Sequence, residues 1–292
     1  MNVLSLFDGI SCGMVALERA GIPVERYVAY EIDKYAIKVS KKNYPQIEHC
    51  GDVTTADFTK YYGFDLLVGG SPCQSLSIVR SKTRQHLQGK SKLFFEFVRA
   101  LHESNPRYFL FENVASMNEE SKNIINKELN CKPLLIDSAD FSAQNRLRLY
   151  WTNIPVNMCY KKNADVLKDI LQSDVDEKYY YSKAFDFLGI DKKVCALLKN
   201  IKVYEMLKRV YSPLYKCATL TTCGGGNTQK KVYDVEKNKC RKLTPLEYER
   251  LQILPDDYTS GLSDSRRYTA IGNSWTVDVI AHILKGLKEV DV

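Results

Sequence analysis

At 292 residues with 45% apolar side chains, the chain can bury the core of one large domain with a smaller companion. It holds no run of 18 apolar residues, and its start, MNVLSLFDGIS, lacks the basic stretch and apolar length of a secretory signal. These features argue against membrane-spanning and exported classes and lead to the expectation of a cytoplasmic protein.

Of the net charge of +7, residues 156–240 hold 16 Lys/Arg against 10 Asp/Glu, whereas the other 207 residues hold 26 against 25. A local basic field of that kind suits a polyanion partner, with a lysine-rich solvated surface as the plain alternative. Nine cysteines without a C-x-x-C, and four scattered histidines, argue against a disulfide framework or a metal site. The ordinary fate of such cysteines is burial as small apolar side chains in a reducing compartment.

In chain order, Val3 to Phe7 reads as a strand, Gly13 to Ala20 as a helix, Tyr27 to Tyr30 as a strand, and Asp33 to Asn43 as a helix. Phe64 to Val68 reads as a buried strand. Ser91 can cap a helix in which Leu93, Phe94, Phe97, Val98 and Leu101 share a face, and Tyr108 to Phe111 returns as a strand. Leu134 to Ile136 and Leu147 to Trp151 are two more. The alternation predicts an α/β fold with a parallel sheet and helices on both faces. From about 156 the pattern changes to lysines and tyrosines, with the run Cys223-Gly224-Gly225-Gly226-Asn227, so 156–240 is expected to form a separate small module. Residues 1–155 with 241–292 would then form the larger domain. Thr244-Pro245-Leu246-Glu247 is a capping box that should start a helix running to about Gln252. A last helix is expected from about Ser274 to Leu287, with Val277, Ile280, Ala281 and Leu284 on one side.

Ligands of an open parallel sheet bind beyond the carboxyl ends of its strands. Four polar stretches fall there. Phe7-Asp8-Gly9-Ile10-Ser11-Cys12-Gly13 offers glycines for close backbone approach before a helix. Glu31 could accept hydrogen bonds from a ribose diol or be a plain surface acid. Gly51-Asp52-Val53 and Gly69-Gly70-Ser71-Pro72-Cys73 complete the set. A full Gly-x-Gly-x-x-Gly is missing, which argues against a nicotinamide enzyme. Cys73 follows a proline on a loop after a buried strand, and the stretch from Gln74 to Ser91 carries Arg80, Lys82, Arg84 and Lys90 with no acid. A thiol near positive charge can act as a nucleophile, and that loop can clamp phosphates. Glu112, ending the next apolar run, can be held partly desolvated and protonated, donating a hydrogen bond to a ring nitrogen.

With these residues in view, the chain resembles the cytosine-5 DNA methyltransferase family over nearly its whole length. The resemblance is carried, in order, by FDGISCG at 7–13, Pro72-Cys73-Gln74, Glu112-Asn113-Val114, Gln144-Asn145-Arg146-Leu147-Arg148, RKLTPLEYERLQ at 241–252, and Gly272-Asn273-Ser274. Local choices such as LSLFDGI, LFENV and GNSW are most similar to the vertebrate de novo branch, without its accessory domains. Ser11 and Cys12 stand where many members have glycines.

The resemblance implies a Rossmann-like sheet that binds S-adenosylmethionine, with 156–240 as target recognition region. It implies that Cys73 attacks carbon 6 of a flipped-out cytosine while Glu112 engages nitrogen 3, and that Arg146 and Arg148 steady the base and the active-site loop. Phe7, Asp8, Gly9, Ile10, Ser11, Gly13, Glu31, Ile32, Asp52, Val53, Pro72, Asn273, Ser274 and Trp275 would line the cofactor pocket, Ile32 packing on the adenine. Double-stranded DNA is the implied partner, with Arg80, Lys82, Arg84 and Lys90 on its phosphates, and a cognate restriction endonuclease is compatible with it. Two rival readings stay open: a tRNA methyltransferase, whose usual Cys-Phe-Thr signature does not occur here, and a silent DNA-binding relative, against which the retained Cys73 and Glu112 count.

Overall fold

Strand β1 (Asn2–Leu6) buries Val3, Leu4 and Leu6 completely, because it is covered on both faces and flanked on both edges. It pairs in parallel with β2 (Arg26–Tyr30) on one side and with β4 (Leu66–Gly69) on the other. The computed structural model describes residues 1–72, 93–223 and 226–290. Cys73, Arg80, Lys82, Arg84, Lys90 and the Ser91 cap therefore lie outside the described residues.

With β3 (Glu48–His49), β5 (Tyr108–Val114), β6 (Leu134–Asp137) and β7 (Leu147–Thr152), the sheet has seven strands in the order β3-β2-β1-β4-β5-β7-β6. The first five are parallel, and β7 runs antiparallel to β5. Strand order reverses direction at β1, which makes the loops after β1 and β4 the switch point where such sheets bind ligands. Helices α1 (Cys12–Ala20), α2 (Lys34–Asn43), α3 (Phe94–Ser104) and α4 (Glu119–Glu128) fall between the strands. Gly21 closes α1 in the left-handed region at φ 66°, and Asp33 caps α2 by accepting from Tyr35 N–H. Phe94, Phe97, Phe111 and Trp151 stack at tilted angles within the core between α3 and the sheet.

Several boundaries differ from the sequence reading. Strand β4 starts at Leu66, since Phe64 is still in a turn closed by its N–H to Tyr61 O. Strand β5 runs on through Glu112 to Val114, so Glu112 lies inside a strand rather than past its end. Helix α4 escapes the pattern because only Ser121 and Ile125 of its ten residues are buried.

The helix expected from about 274 to 287 starts at Val277 and ends at Lys285, and a helix not expected from the sequence precedes it. Helix α6 (Asp264–Asn273) stops at Ser274, which is extended at φ −76°, ψ 166° and binds Ile271 O through both its N–H and its Oγ. A new helix, α7 (Val277–Lys285), follows; it ends at Gly286, and α8 (Leu287–Val290) is short. A Cβ on Gly286 would lie 1.8 Å from Pro155 O, so only glycine fits there. Val277, Ile280, Ala281 and Leu284 are buried, and α7 packs on α1.

The chain forms two compact units. One comprises 1–136, 147–160 and 277–292; the other comprises 137–146 and 161–276, so it takes in residues 241–276 as well as the lysine-rich stretch. The second unit holds a five-stranded sheet, β12-β11-β10-β9-β8, from β8 (Phe185–Phe187), β9 (Val194–Leu198), β10 (Arg209–Tyr211), β11 (Lys231–Asp234) and β12 (Lys239–Lys242). It also holds α5 (Pro245–Leu251), whose capping box forms as expected: Glu247 N–H donates to Thr244 Oγ1 at 3.2 Å and Thr244 N–H to Glu247 Oε2 at 2.8 Å. Among the described residues, no helix is long and apolar enough to cross a membrane.

Candidate active site

The turn after β1 is built from three left-handed residues, Phe7 at φ 58°, Gly9 at φ 61° and Ser11 at φ 60°. For Phe and Ser this conformation costs about 1–2 kcal/mol each, so the surroundings must hold it. Asp8 does much of this: its Oδ1 accepts from Ser5 Oγ at 2.6 Å and Tyr27 OH at 2.7 Å, and its Oδ2 accepts from Ser11 Oγ at 2.5 Å. Burial pushes the Asp8 carboxyl above its ordinary value, against the pull of these hydroxyls. Gly9 itself faces open space, with nothing within 4 Å of where a Cβ would sit.

Glu31 leaves the end of β2 and turns back on this loop. Its Oε2 accepts from Gly9 N–H, and its Oε1 accepts from Ile32 and Asp33 N–H, all at 2.8 Å. Burial raises its pKa, and the three backbone donors only partly offset that. Two lone pairs on Oε1 are thus used and one on Oε2, leaving Oε2 able to accept one more hydrogen bond. Next to it, Ile32 is 74% exposed, an apolar side chain without cover. Beyond β3, Asp52 is exposed and its Oδ1 receives Thr54 N–H and Oγ1, both at 2.9 Å, while Val53 is buried. The loops after β1, β2 and β3 thus present a glycine with room beside it, an acceptor and an apolar face at one sheet edge.

Strand β4 leads into Ser71 and Pro72. It lies so close to β1 and α3 that a Cβ on Gly69 would be 3.0 Å from Leu6 O and from the Phe97 ring. Gly69, the last residue of β4, pairs with Phe111 of β5, the residue before Glu112. Buried Asn113 points its Nδ2 at Ser71 O and Oγ, at 3.4 and 3.5 Å, and so reaches the backbone just before Pro72.

Glu112 forms an ion pair with Arg148: Arg148 Nε lies 2.9 Å from Glu112 Oε1, with each side chain 13% exposed. The antiparallel register pairs Glu112 with Tyr150 and Val114 with Arg148, so the two meet diagonally across β5 and β7. Spacing along the sequence gives no sign of this contact, because it depends on how two distant strands are matched.

Arg146 goes elsewhere. It is 5% exposed, within the second unit, and its guanidinium donates to Leu220 O and Ser274 O at 3.0 Å and Gly272 O at 3.4 Å. Asn273 is exposed and accepts from Thr222 Oγ1, while Ser274 is buried and Trp275 half-buried. Gly272 is required here, since a Cβ would lie 2.5 Å from Thr221 O. Gln144 adds to the same framework, donating to Leu251 O and Gln252 Oε1 and accepting from Leu220 N–H. Of the expected site residues, the structure therefore gathers Asp8, Gly9, Ser11 and Glu31 in one hydrogen-bonded loop and joins Glu112 to Arg148. It uses Arg146 to tie three backbone segments.

A family model described as C-5 cytosine-specific DNA methylase matches residues 1–289. The chain is 35% identical to the orphan methyltransferase M.SPRI of Bacillus phage SPR, with 98% of this chain and 97% of that protein covered. It is 30% identical to the type II methyltransferase M1.ScrFI of Lactococcus lactis subsp. cremoris, with 99% and 78% covered. In three dimensions it is similar to the crystal structure of the S. pombe Dnmt2 methyltransferase, at a TM-score of 0.75 and 19% identity over 100% of both chains.

Proposed function

The chain belongs to the C-5 cytosine-specific DNA methylase family, and on that premise we propose that it methylates carbon 5 of a cytosine rotated out of duplex DNA, through a covalent bond to Cys73 and with S-adenosylmethionine as donor. The observation that carries this reading is the β4–β5 pairing, which sets the end of β4 beside the strand that carries Glu112 and its Arg148 partner. The Cys73 sulfur adds to carbon 6, and the electron pair of the 5,6 double bond moves toward the ring nitrogen that Glu112 engages. Carbon 5 thereby becomes nucleophilic. When bound, S-adenosylmethionine supplies an electrophilic methyl group. Loss of the carbon-5 proton and cleavage of the C6–S bond then restore the aromatic ring and free Cys73.

The loops after β1, β2 and β3 fit an adenosine-containing donor on their own chemistry. Gly9 leaves room for close approach, Glu31 Oε2 retains an acceptor position suited to a ribose hydroxyl, and exposed Ile32 offers an apolar surface to a base. Phe7, Asp8, Ile10, Ser11, Gly13, Asp52, Val53 and Pro72, all of the first unit, complete the proposed cofactor set. Arg148 acts by holding Glu112, and Arg146 by fixing the backbone at Leu220, Gly272 and Ser274. Arg80, Lys82, Arg84 and Lys90 would contact phosphates, and 156–240 would recognise the target in the cytoplasm. The names of the relatives include both type II and orphan methyltransferases, so an accompanying restriction endonuclease is one of two arrangements open to this chain.

Transfer of labelled methyl from S-adenosylmethionine to duplex DNA and, in parallel, to tRNA tests the reading with the wild type and Cys73→Ser. Label in duplex DNA that Cys73→Ser loses is the expected result. A Cys73→Ser enzyme keeping about a tenth of the wild-type rate would overturn the covalent step, since nucleophile loss costs far more than that. Label in tRNA alone would move the substrate to RNA.

A further inference from the structure

We infer that His49 and Ser40 are positioning residues for the turn after β1, acting through the chain His49–Ser40–Ser11–Asp8, and that this chain makes cofactor affinity fall in mildly acidic solution. The inference rests on the reading of that turn as part of the cofactor site. His49 Nε2 lies 3.0 Å from Ser40 Oγ, Ser40 Oγ 2.6 Å from Ser11 Oγ, and Ser11 Oγ 2.5 Å from Asp8 Oδ2. Ser11 and Ser40 are both wholly buried. Sequence reading gives no hint of the chain, because β3, α2 and the turn after β1 contribute one or two members each.

Proton supply fixes its direction. Each serine has one hydroxyl proton, and an ionised Asp8 can only accept. Ser11 therefore donates to Asp8, Ser40 to Ser11, and His49 must supply an N–H at Nε2 to Ser40. That leaves Nδ1 as the bare nitrogen, and Nδ1 is buried with no hydrogen-bond partner among the described residues. The opposite order would start from a protonated Asp8 and put the histidine proton on Nδ1, where a buried N–H would go unmet. The first order is the one the surroundings permit.

A second proton on His49 would have to sit on Nδ1. With no acceptor there among the described residues, the ring would swing toward water and withdraw Nε2 from Ser40. Ser11, at φ 60°, then loses a partner that helps hold it in the left-handed region. The groups facing His49 are Lys41 of α2, which disfavours the charged ring, and Glu31 beyond β2, which favours it. Glu48 on the same strand is engaged by Arg26 at 2.8 and 2.9 Å. Burial outweighs the rest and sets the His49 pKa below its ordinary 6.5. A histidine with a depressed value stays neutral above its ordinary pKa, and the neutral form is lost as pH falls through the lowered one. The chain should be intact at neutral pH and break below it.

The test is calorimetric titration of the full chain with S-adenosylmethionine, without nucleic acid, from about pH 7.5 to about pH 5. Wild-type affinity should fall by about tenfold across that range beyond the change seen in His49→Gln. The glutamine amide can donate to Ser40 without titrating, so this variant should bind within about twofold of wild type at neutral pH and respond less to acid. Ser40→Ala should bind about fivefold more weakly at neutral pH, with a flatter profile. A His49→Gln profile that overlays the wild type would overturn the proposal, and that variant decides alone if Ser40→Ala does not fold. A wild type that binds with no pH response would overturn the chain but leave the cofactor reading standing. A wild type that binds S-adenosylmethionine at no pH would overturn the cofactor reading, and the chain with it.

Discussion

Two of the arginine–glutamate pairs, one in each compact unit, are built to opposite ends. In the second unit, Arg241 and Glu247 are 2% and 0% exposed, and Glu247 accepts four hydrogen bonds: from Arg241 Nη1 and Nη2 at 2.8 and 2.7 Å, Thr244 N–H at 2.8 Å and Gln172 N–H at 2.9 Å. All four lone pairs of the carboxylate are used. In the first unit, Arg148 meets Glu112 through Nε at 2.9 Å, and both side chains are 13% exposed. The carboxylate of the buried pair ties two backbone segments together and has no lone pair left to offer a ligand. The pair on neighbouring inner strands keeps some reach to solvent. The same two residue types are thus wholly buried in one region and partly exposed in the other.

The comparison breaks first at Glu247. Glu247→Ala strands Arg241 in the interior and should lower stability by about 4 kcal/mol, read as a fall in thermal midpoint. A loss under about 1 kcal/mol would show that this pair is no more structural than the other. Glu112→Gln should do the reverse, lowering kcat by about 100-fold with the thermal midpoint nearly unchanged. Equal losses in single-turnover rate and in cofactor affinity would remove Glu112 from the chemical step. The smallest effect belongs to Thr244→Ala, which deletes the hydroxyl half of the capping box and should cost about 1 kcal/mol of stability with no change in methyl transfer.

Much of this arrangement is legible in the sequence, and for physical reasons. Apolar runs such as NVLSL and LLVG mark strands buried on both faces, and polar residues just after them fall at the sheet edge by topology alone. The Thr244 box is local and forms as its spacing demands. What escapes is whatever depends on distant segments meeting. Helix α6, just before Ser274, is not expected from the sequence, since only Tyr268, Ile271 and Gly272 of its ten residues are buried. Arg146 and Arg148 look alike as neighbours in a motif, yet strand β7 begins between them, and one binds backbone carbonyls while the other faces Glu112. The Ser40–His49 chain is likewise invisible, since no local rule pairs a helix serine with a histidine nine residues on.

Helix α1, which begins in the turn after β1, is covered by α7, and Arg19 joins Asp278 at 2.5 Å across 259 residues of chain. Such a contact is among the most non-local that the fold contains, and closing it carries a correspondingly high entropic cost during folding. During synthesis, α1 therefore gains this cover only after the segment that forms α7 has been made. A chain interrupted before α7 would leave that face of α1 open to chaperones and proteases.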